Sequence, residues 1–181
     1  MFHRADKAIL FFLNQLGPES SVRELVIRIV ATGILYLLFA IVLYLWLRKP
    51  GGRQVALTAV VSALIAFAIG KLINHLVARD RPFVVFEEQI RLIDLIVRPA
   101  SFPSIHAVVA FGGAGGVLFS RYWKWGVVMI VLSTAMIAAR VAAGVHWPSD
   151  VIGGALIGLV VAVIVTTLWK RRKRAQTGDA R

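Results

Sequence analysis

The sequence predicts an all-α fold, a polytopic membrane helix bundle with about five transmembrane helices plus an N-terminal interfacial helix. Three observations predict it. Hydrophobic residues fill 59% of the 181 positions, against about 45–50% in a soluble domain. Mean hydropathy is +0.78. The apolar residues also gather into runs close to the roughly 20 residues that cross a bilayer core about 30 Å thick. Short basic or Gly-Pro-containing links join the runs, so residues 1–181 read as one integral membrane domain with no separate soluble part. This hydrophobicity excludes a disordered chain. The absence of cysteine excludes disulfides, thiolate metal sites and thiol nucleophiles.

Residues 1–18 carry an apolar stretch (Phe2, Ile9, Leu10, Phe11, Leu13, Leu16) interrupted early by Arg4, Asp6 and Lys7. It is too short to span, and no small-x-small cleavage site follows it. An interfacial amphipathic helix ending near Gly17-Pro18 is expected. The charge-free run Ile29 to Leu47 is the first span, and Val55 to Gly70, continued through Lys71 toward Ala78, is the second. Between spans two and three, Glu87, Arg91, Asp94 and Arg98 share one face at helical spacing, opposite Ile90, Ile93, Ile96 and Val97. That pattern predicts a solvated surface helix. Phe102 to Ser120 is the third span, with His106 its polar exception. Trp125 to Ala139, extended to Gly144 with Arg140 in its last turn, is the fourth, and Val151 to Trp169 is the fifth. A polar tail, 175–181, follows. Gly112-x-x-x-Gly116 and Gly154-x-x-x-Gly158 have the spacing that lets membrane helices approach closely. They are read as packing within the bundle rather than as a dimer interface.

Polar chemistry concentrates at four span ends. Span two ends at Lys71…Arg79-Asp80-Arg81-Pro82, and span three begins at Ser101-Phe102-Pro103-Ser104-Ile105-His106. Span four ends at Arg140, and span five begins after His146-Trp147-Pro148-Ser149-Asp150. Because the spans alternate in direction, all four ends face the same aqueous compartment. Ionisable residues at such depths are costly and point by default to function. Lys71, Arg79, Arg81 and Arg140 offer an anion site, with guanidinium forks suited to phosphate oxygens. Pro103 and Pro148 suit the first position of a helix, which would turn backbone N–H groups near Ser104 and Ser149 toward a phosphate. Asp150 could accept the Nδ1 proton of His146 and leave Nε2 free to attack. His106 could then protonate a leaving oxygen. Two histidines and an aspartate could instead bind a metal, but four surrounding cations would repel a divalent ion. No metal or cofactor is expected.

These residues resemble the membrane branch of the type 2 phosphatidic acid phosphatase superfamily, which shares its site with vanadium haloperoxidases. The family pattern is K-x6-R-P, then P-S-G-H, then S-R-x5-H-x3-D. Here the three parts read Lys71…Arg81-Pro82, Pro103-Ser104-Ile105-His106 and Ala139-Arg140-x5-His146-x3-Asp150. The resemblance implies His146 as nucleophile, Asp150 as its orienting partner and His106 as general acid. It implies Lys71, Arg81, Ser104 and Arg140 as phosphate ligands, with Arg79 a substitute candidate. The chain departs from the pattern in three places. Lys71 lies ten residues before Arg81, with Asn74 at the usual lysine position, Ile105 replaces glycine, and Ala139 replaces serine. The displaced lysine is moved about 4.5 Å along a helix and about 60° around it.

A site at span ends selects amphiphiles whose tails stay in lipid. The short chain, the S-F-P-S-x-H-A block and the R-P-F block most resemble bacterial undecaprenyl pyrophosphate phosphatases. Phosphatidic acid, phosphatidylglycerol phosphate and lipid A phosphates are the alternative substrates, and a catalytically impaired membrane scaffold of the same fold is the alternative to an enzyme. A net charge of +12 invites a nucleic-acid partner, but the bases are not distributed for one. The face opposite the site carries Arg48, Lys49, Arg53, Arg121, Lys124 and the five bases of 170–174, with no acid. Such loops stay in the cytoplasm. The expected orientation is therefore a plasma-membrane protein with a cytoplasmic C-terminus and a site facing the periplasm or exterior. Its partners are the lipid phosphate substrate and membrane lipids, without nucleic acid.

Overall fold

The computed structural model describes residues 4–16, 20–93 and 100–177. Among them it contains helices, turns and extended links but no strand. α1 is Arg4–Gln15 and α2 is Ser21–Arg28, with the Ser20 side chain accepting from the Arg23 N–H at 3.2 Å to cap it. A π-helical turn, Ile29–Gly33, carries α2 into α3, Ile34–Arg48. The 28 residues Ser21–Arg48 therefore run as one helix, which starts a turn or two earlier than the apolar run alone implies. α4 is Gly52–Val77, α5 the single turn Pro82–Val85, and α6 Ile105–Leu118. α7 is Trp123–Ala142 and α8 is Pro148–Thr177.

Among the described residues, four helical stretches are long and apolar enough to cross a membrane, and α6 is a shorter apolar helix of 14 residues. At 1.5 Å per residue α6 is about 21 Å long, less than the bilayer core. Its role explains its length. Ten of its residues are buried, and α4, α7 and α8 pack around it. Glycine makes this possible. A Cβ on Gly116 would lie 2.6 Å from the Ala59 Cα of α4, and one on Gly158 of α8 would lie 2.5 Å from the Val108 carbonyl oxygen. The two small-residue motifs thus pack within one chain, α6 on α4 and α8 on α6.

Helix α6 begins later than the third apolar run. Ser104 is extended (φ −66°, ψ 113°) and its N–H is bonded to the Asp150 carbonyl at 3.1 Å. Pro103 accordingly lies before the cap rather than at the first helical position, whereas Pro148 does open α8. The surface helix expected from Glu87 onward is also absent over the described part. Residues 87–93 form turns and an extended link, because other segments take their backbone groups. The Asn14 side chain binds both the N–H (3.0 Å) and the carbonyl (2.8 Å) of Arg91, and the Ile93 N–H bonds Ala143 O. Ile90 and Ile93 are buried as their apolar pattern requires. Asp94, Ile96, Val97 and Arg98 lie outside the described residues, as does the Gly17-Pro18 end of the first helix.

Candidate active site

Helix α4 stops at Ala78, which adopts a left-handed conformation (φ 43°, ψ 40°). The turn reverses the chain and sends Arg79 and Arg81 in different directions. Arg81 goes inward and is 7% exposed. Its Nη1 donates to Val145 O at 2.6 Å, its Nη2 to Ala100 O at 3.1 Å, and Nη1 lies 3.4 Å from His146 Nε2. One guanidinium therefore joins three segments, 79–81, 100–104 and 143–147. Arg79 does not line the cavity that Arg81 enters. It donates to Ser149 Oγ and Asp150 Oδ1 at 2.7 Å each and to Asp6 Oδ2 at 3.0 Å, with its guanidinium 5.1 Å from the Trp147 ring centre. Its donors serve two carboxylates, so it is placed behind the site as a brace.

The segment 143–147 is buried throughout. Gly144 has φ +76°, and a side chain there would also meet Ile90 at 2.5 Å, so only glycine suits the turn. Trp147 is wholly buried and donates from Nε1 to Asp80 O at 2.9 Å. Asp150, also wholly buried, sits in the first turn of α8. Its Oδ1 takes the Arg79 bond, while Oδ2 accepts from Ser101 Oγ and from the Trp147 N–H. His146 Nδ1 is 3.6 Å from Asp150 Oδ2, within ion-pair reach but longer than a full hydrogen bond. A proton on Nδ1 suits both neighbours. It faces the carboxylate, and it leaves the Nε2 lone pair toward Arg81 and the cavity. Burial chiefly lowers the His146 pKa, to about 4; Asp150 pulls it upward, and Arg140 and Arg81 add to the fall. The imidazole is neutral at physiological pH.

A cavity of about 310 Å³ is lined by Lys71 and Asn74 of α4, Arg81, Ala100 and Pro103, Ile105 and His106 of α6, Arg140 of α7, and His146. Lys71 reaches it despite its shifted position in the sequence. Asn74 also braces the wall, donating to Ala100 O at 3.3 Å and Phe102 O at 3.0 Å. Ser104, between the wall residues Pro103 and Ile105, does not itself line the cavity; it is fully buried, and its Oγ has no hydrogen-bond partner among the described residues. The cavity shares part of its wall with apolar space. Phe67, Ile105 and His106 also line a pocket of about 360 Å³ with Leu35, Ala63, Leu64 and Val109. Leu35, Ala63 and Val109 in turn border a third pocket that reaches Leu38, Gly113 and Met129. The apolar pockets thus lie beside the three cations and two histidines, bordered by α3, α4 and α6.

Sequence reasoning missed Ser101, which holds Asp150, and the two buried polar residues of α1. Asp6 is 7% and Asn14 1% exposed. Their signal was visible as polar residues eight apart that flank the apolar run of residues 8–13. Exposed Ile9 and Phe12 give α1 its apolar outer side.

Three cations and two histidines are thus gathered in one cavity beside apolar pockets, and comparison with known proteins shows the family. The chain belongs to the PAP2 superfamily, whose family model matches residues 55–174. It is a membrane lipid phosphatase, a hydrolase of phosphoric ester or anhydride bonds. It is 32% identical over 155 residues to the bacitracin transport permease protein BcrC of Bacillus licheniformis, spanning 85% of this chain and 75% of that protein. It is 36% identical over 107 residues to an undecaprenyl-diphosphatase of Sulfolobus acidocaldarius, spanning 59% of this chain and 51% of the relative. The fold matches the crystal structure of Aquifex aeolicus LpxE with a TM-score of 0.77 at 19% identity, over 91% of this chain and 96% of that one.

Proposed function

We propose that this protein hydrolyses a polyprenyl diphosphate, with undecaprenyl diphosphate the preferred substrate and undecaprenyl phosphate and inorganic phosphate the products. The observation that carries the reading is that the cationic cavity adjoins apolar pockets with which it shares wall residues. A diphosphate has its charge at one end, where Lys71, Arg81 and Arg140 line the cavity. The apolar pockets bordered by α3, α4 and α6 offer its isoprenoid tail a surface beside that charge. The named activity of the Sulfolobus relative supports the same substrate.

In this mechanism His146 Nε2 attacks the terminal phosphorus, forming an N–P bond as the bridging P–O bond breaks. His106, protonated, gives its proton to the departing lipid phosphate oxygen. Water then attacks the phosphohistidine, returning a proton to His106 and releasing phosphate. Asp150 holds the ring in the reactive tautomer. Lys71, Arg81, Arg140 and Ser104 bind the non-bridging oxygens and offset charge in the transition state. The mechanism needs no metal, since cations of the chain itself serve the electrostatic role.

Purified protein in EDTA is expected to release phosphate from undecaprenyl diphosphate faster than from farnesyl diphosphate or phosphatidic acid. A higher kcat/KM for phosphatidic acid would replace the substrate assignment. Loss of turnover in EDTA would overturn the metal-free mechanism.

The proposed orientation puts the site on the outer face of the plasma membrane, supported by the ten bases and no acid at the opposite end. Contacts such as Tyr122 OH to Pro50 O at 2.6 Å gather these loops at one end of the bundle. In this cysteine-free chain, Arg172→Cys should react with an impermeant maleimide only after cells are opened. Labelling of intact cells would invert the topology.

A further inference from the structure

Asp6 is a buried carboxylate on a helix that contributes nothing to the cavity wall. Its bonds lead toward the reacting centre. Oδ1 accepts from the Ser149 N–H at 2.9 Å and Oδ2 from Ser149 Oγ at 2.6 Å, which fixes α1 on the first turn of α8. Oδ2 also accepts from Arg79 at 3.0 Å, and the other arm of Arg79 reaches Asp150 Oδ1 at 2.7 Å. Asp150 in turn faces His146 Nδ1 at 3.6 Å. Carboxylate, guanidinium, carboxylate and imidazole thus form one chain of contacts.

We propose that Asp6 is a positioning residue for the reaction, acting through Arg79 on the Asp150–His146 pair. The inference rests on His146 being the nucleophile. A lone arginine against Asp150 would draw that carboxylate's charge away from the imidazole. Asp6 supplies a second anion to Arg79, so Asp150 keeps its charge for the ring that becomes positive on phosphorylation. The same carboxylate seats Ser149 and with it the helix turn that carries Asp150. Burial opposes ionisation of Asp6, but the bonds from Ser149 and Arg79 outweigh it and hold the carboxyl below its usual value. It is therefore charged wherever the enzyme works.

The other groups facing His146 are Lys71 from α4, Arg81 from the following loop, His106 from α6 and Arg140 from α7. They are untouched by changes at Asp6, which makes the direction of an effect informative. Removing the Asp6 charge takes an anion from Arg79, strengthens its pull on Asp150 and favours the neutral imidazole. Removing the Arg79 charge favours the protonated one. The acid limb of kcat/KM should therefore move down by about half a pH unit in Asp6→Asn and up by about as much in Arg79→Gln. In Asp6→Asn, kcat should fall about tenfold with KM within twofold of wild type. Asp6→Glu should recover most of the loss.

Limbs that stay in place, or move the same way in both variants, would overturn the proposal and leave α1 a purely structural strap. Where Asp6→Asn does not fold, the Arg79→Gln limb and the Asp6→Glu rescue decide the question by the same criteria. The parent reading fails separately. Turnover that survives His146→Ala would remove the nucleophile, whereas His146-dependent turnover with unmoved limbs removes only the role of Asp6.

Discussion

Replacing His146 with alanine is expected to lower phosphate release by about 10⁴-fold or more, equivalent to roughly 5.5 kcal/mol of barrier. The side chain is 3% exposed and held between Asp150 at Nδ1 and Arg81 at Nε2. Of the two histidines that line the cavity, His146 is the one whose Nδ1 faces a carboxylate, Asp150. Single-turnover experiments with a diphosphate labelled on its terminal phosphorus should find label on wild-type protein and none on the variant. Retained turnover would refute the assignment. The pH dependence has a definite sign. The attacking form is the neutral ring, whose pKa lies at about 4. On this group, kcat/KM should stay level as pH falls from neutrality toward 4 and then drop about tenfold per unit below it. A limb near the ordinary histidine value of about 6.5 would contradict the buried setting described here.

The second large effect is expected at Arg81. Arg81→Lys should cost about 10²- to 10³-fold in kcat/KM, although the charge is kept. The guanidinium spans Val145 O, Ala100 O and the imidazole of His146 at once. An ammonium on a flexible stem can replace one of these contacts but not the planar fork. Losing the bonds to Val145 and Ala100 also frees the two segments that carry His146 and the wall of the cavity. The change should therefore affect kcat as well as KM. A pure KM effect would mean that Arg81 only attracts the anion.

Much of the fold was legible because a bilayer imposes a length scale on apolar runs. The runs ending at Leu47 and beginning near Val55, Trp125 and Val151 all lie within long helices. Their alternation alone put Lys71, His106, Arg140 and His146 at one end. What the sequence hid were choices made by the backbone between helices. Nothing in Arg79-Asp80-Arg81 says which arginine turns inward, because that depends on the left-handed turn at Ala78. The start of α6 at Ile105 rather than Phe102 depends on the Ser104–Asp150 bond, 46 residues away in sequence. The expected helix at 87–98 failed over its described part because Asn14, far upstream, occupies the backbone of Arg91. Helical spacing cannot register a competitor from another segment.

The bonds between Asp6 and Ser149 join positions 143 residues apart. In a chain made from its N-terminus and threaded into the bilayer one span after another, the first helix must wait for the last before it can seat. The carboxylate, guanidinium and imidazole therefore come into line only when insertion is complete. On the role proposed for Asp6, biogenesis and catalytic competence are tied to the same event, the seating of α1 on the first turn of α8.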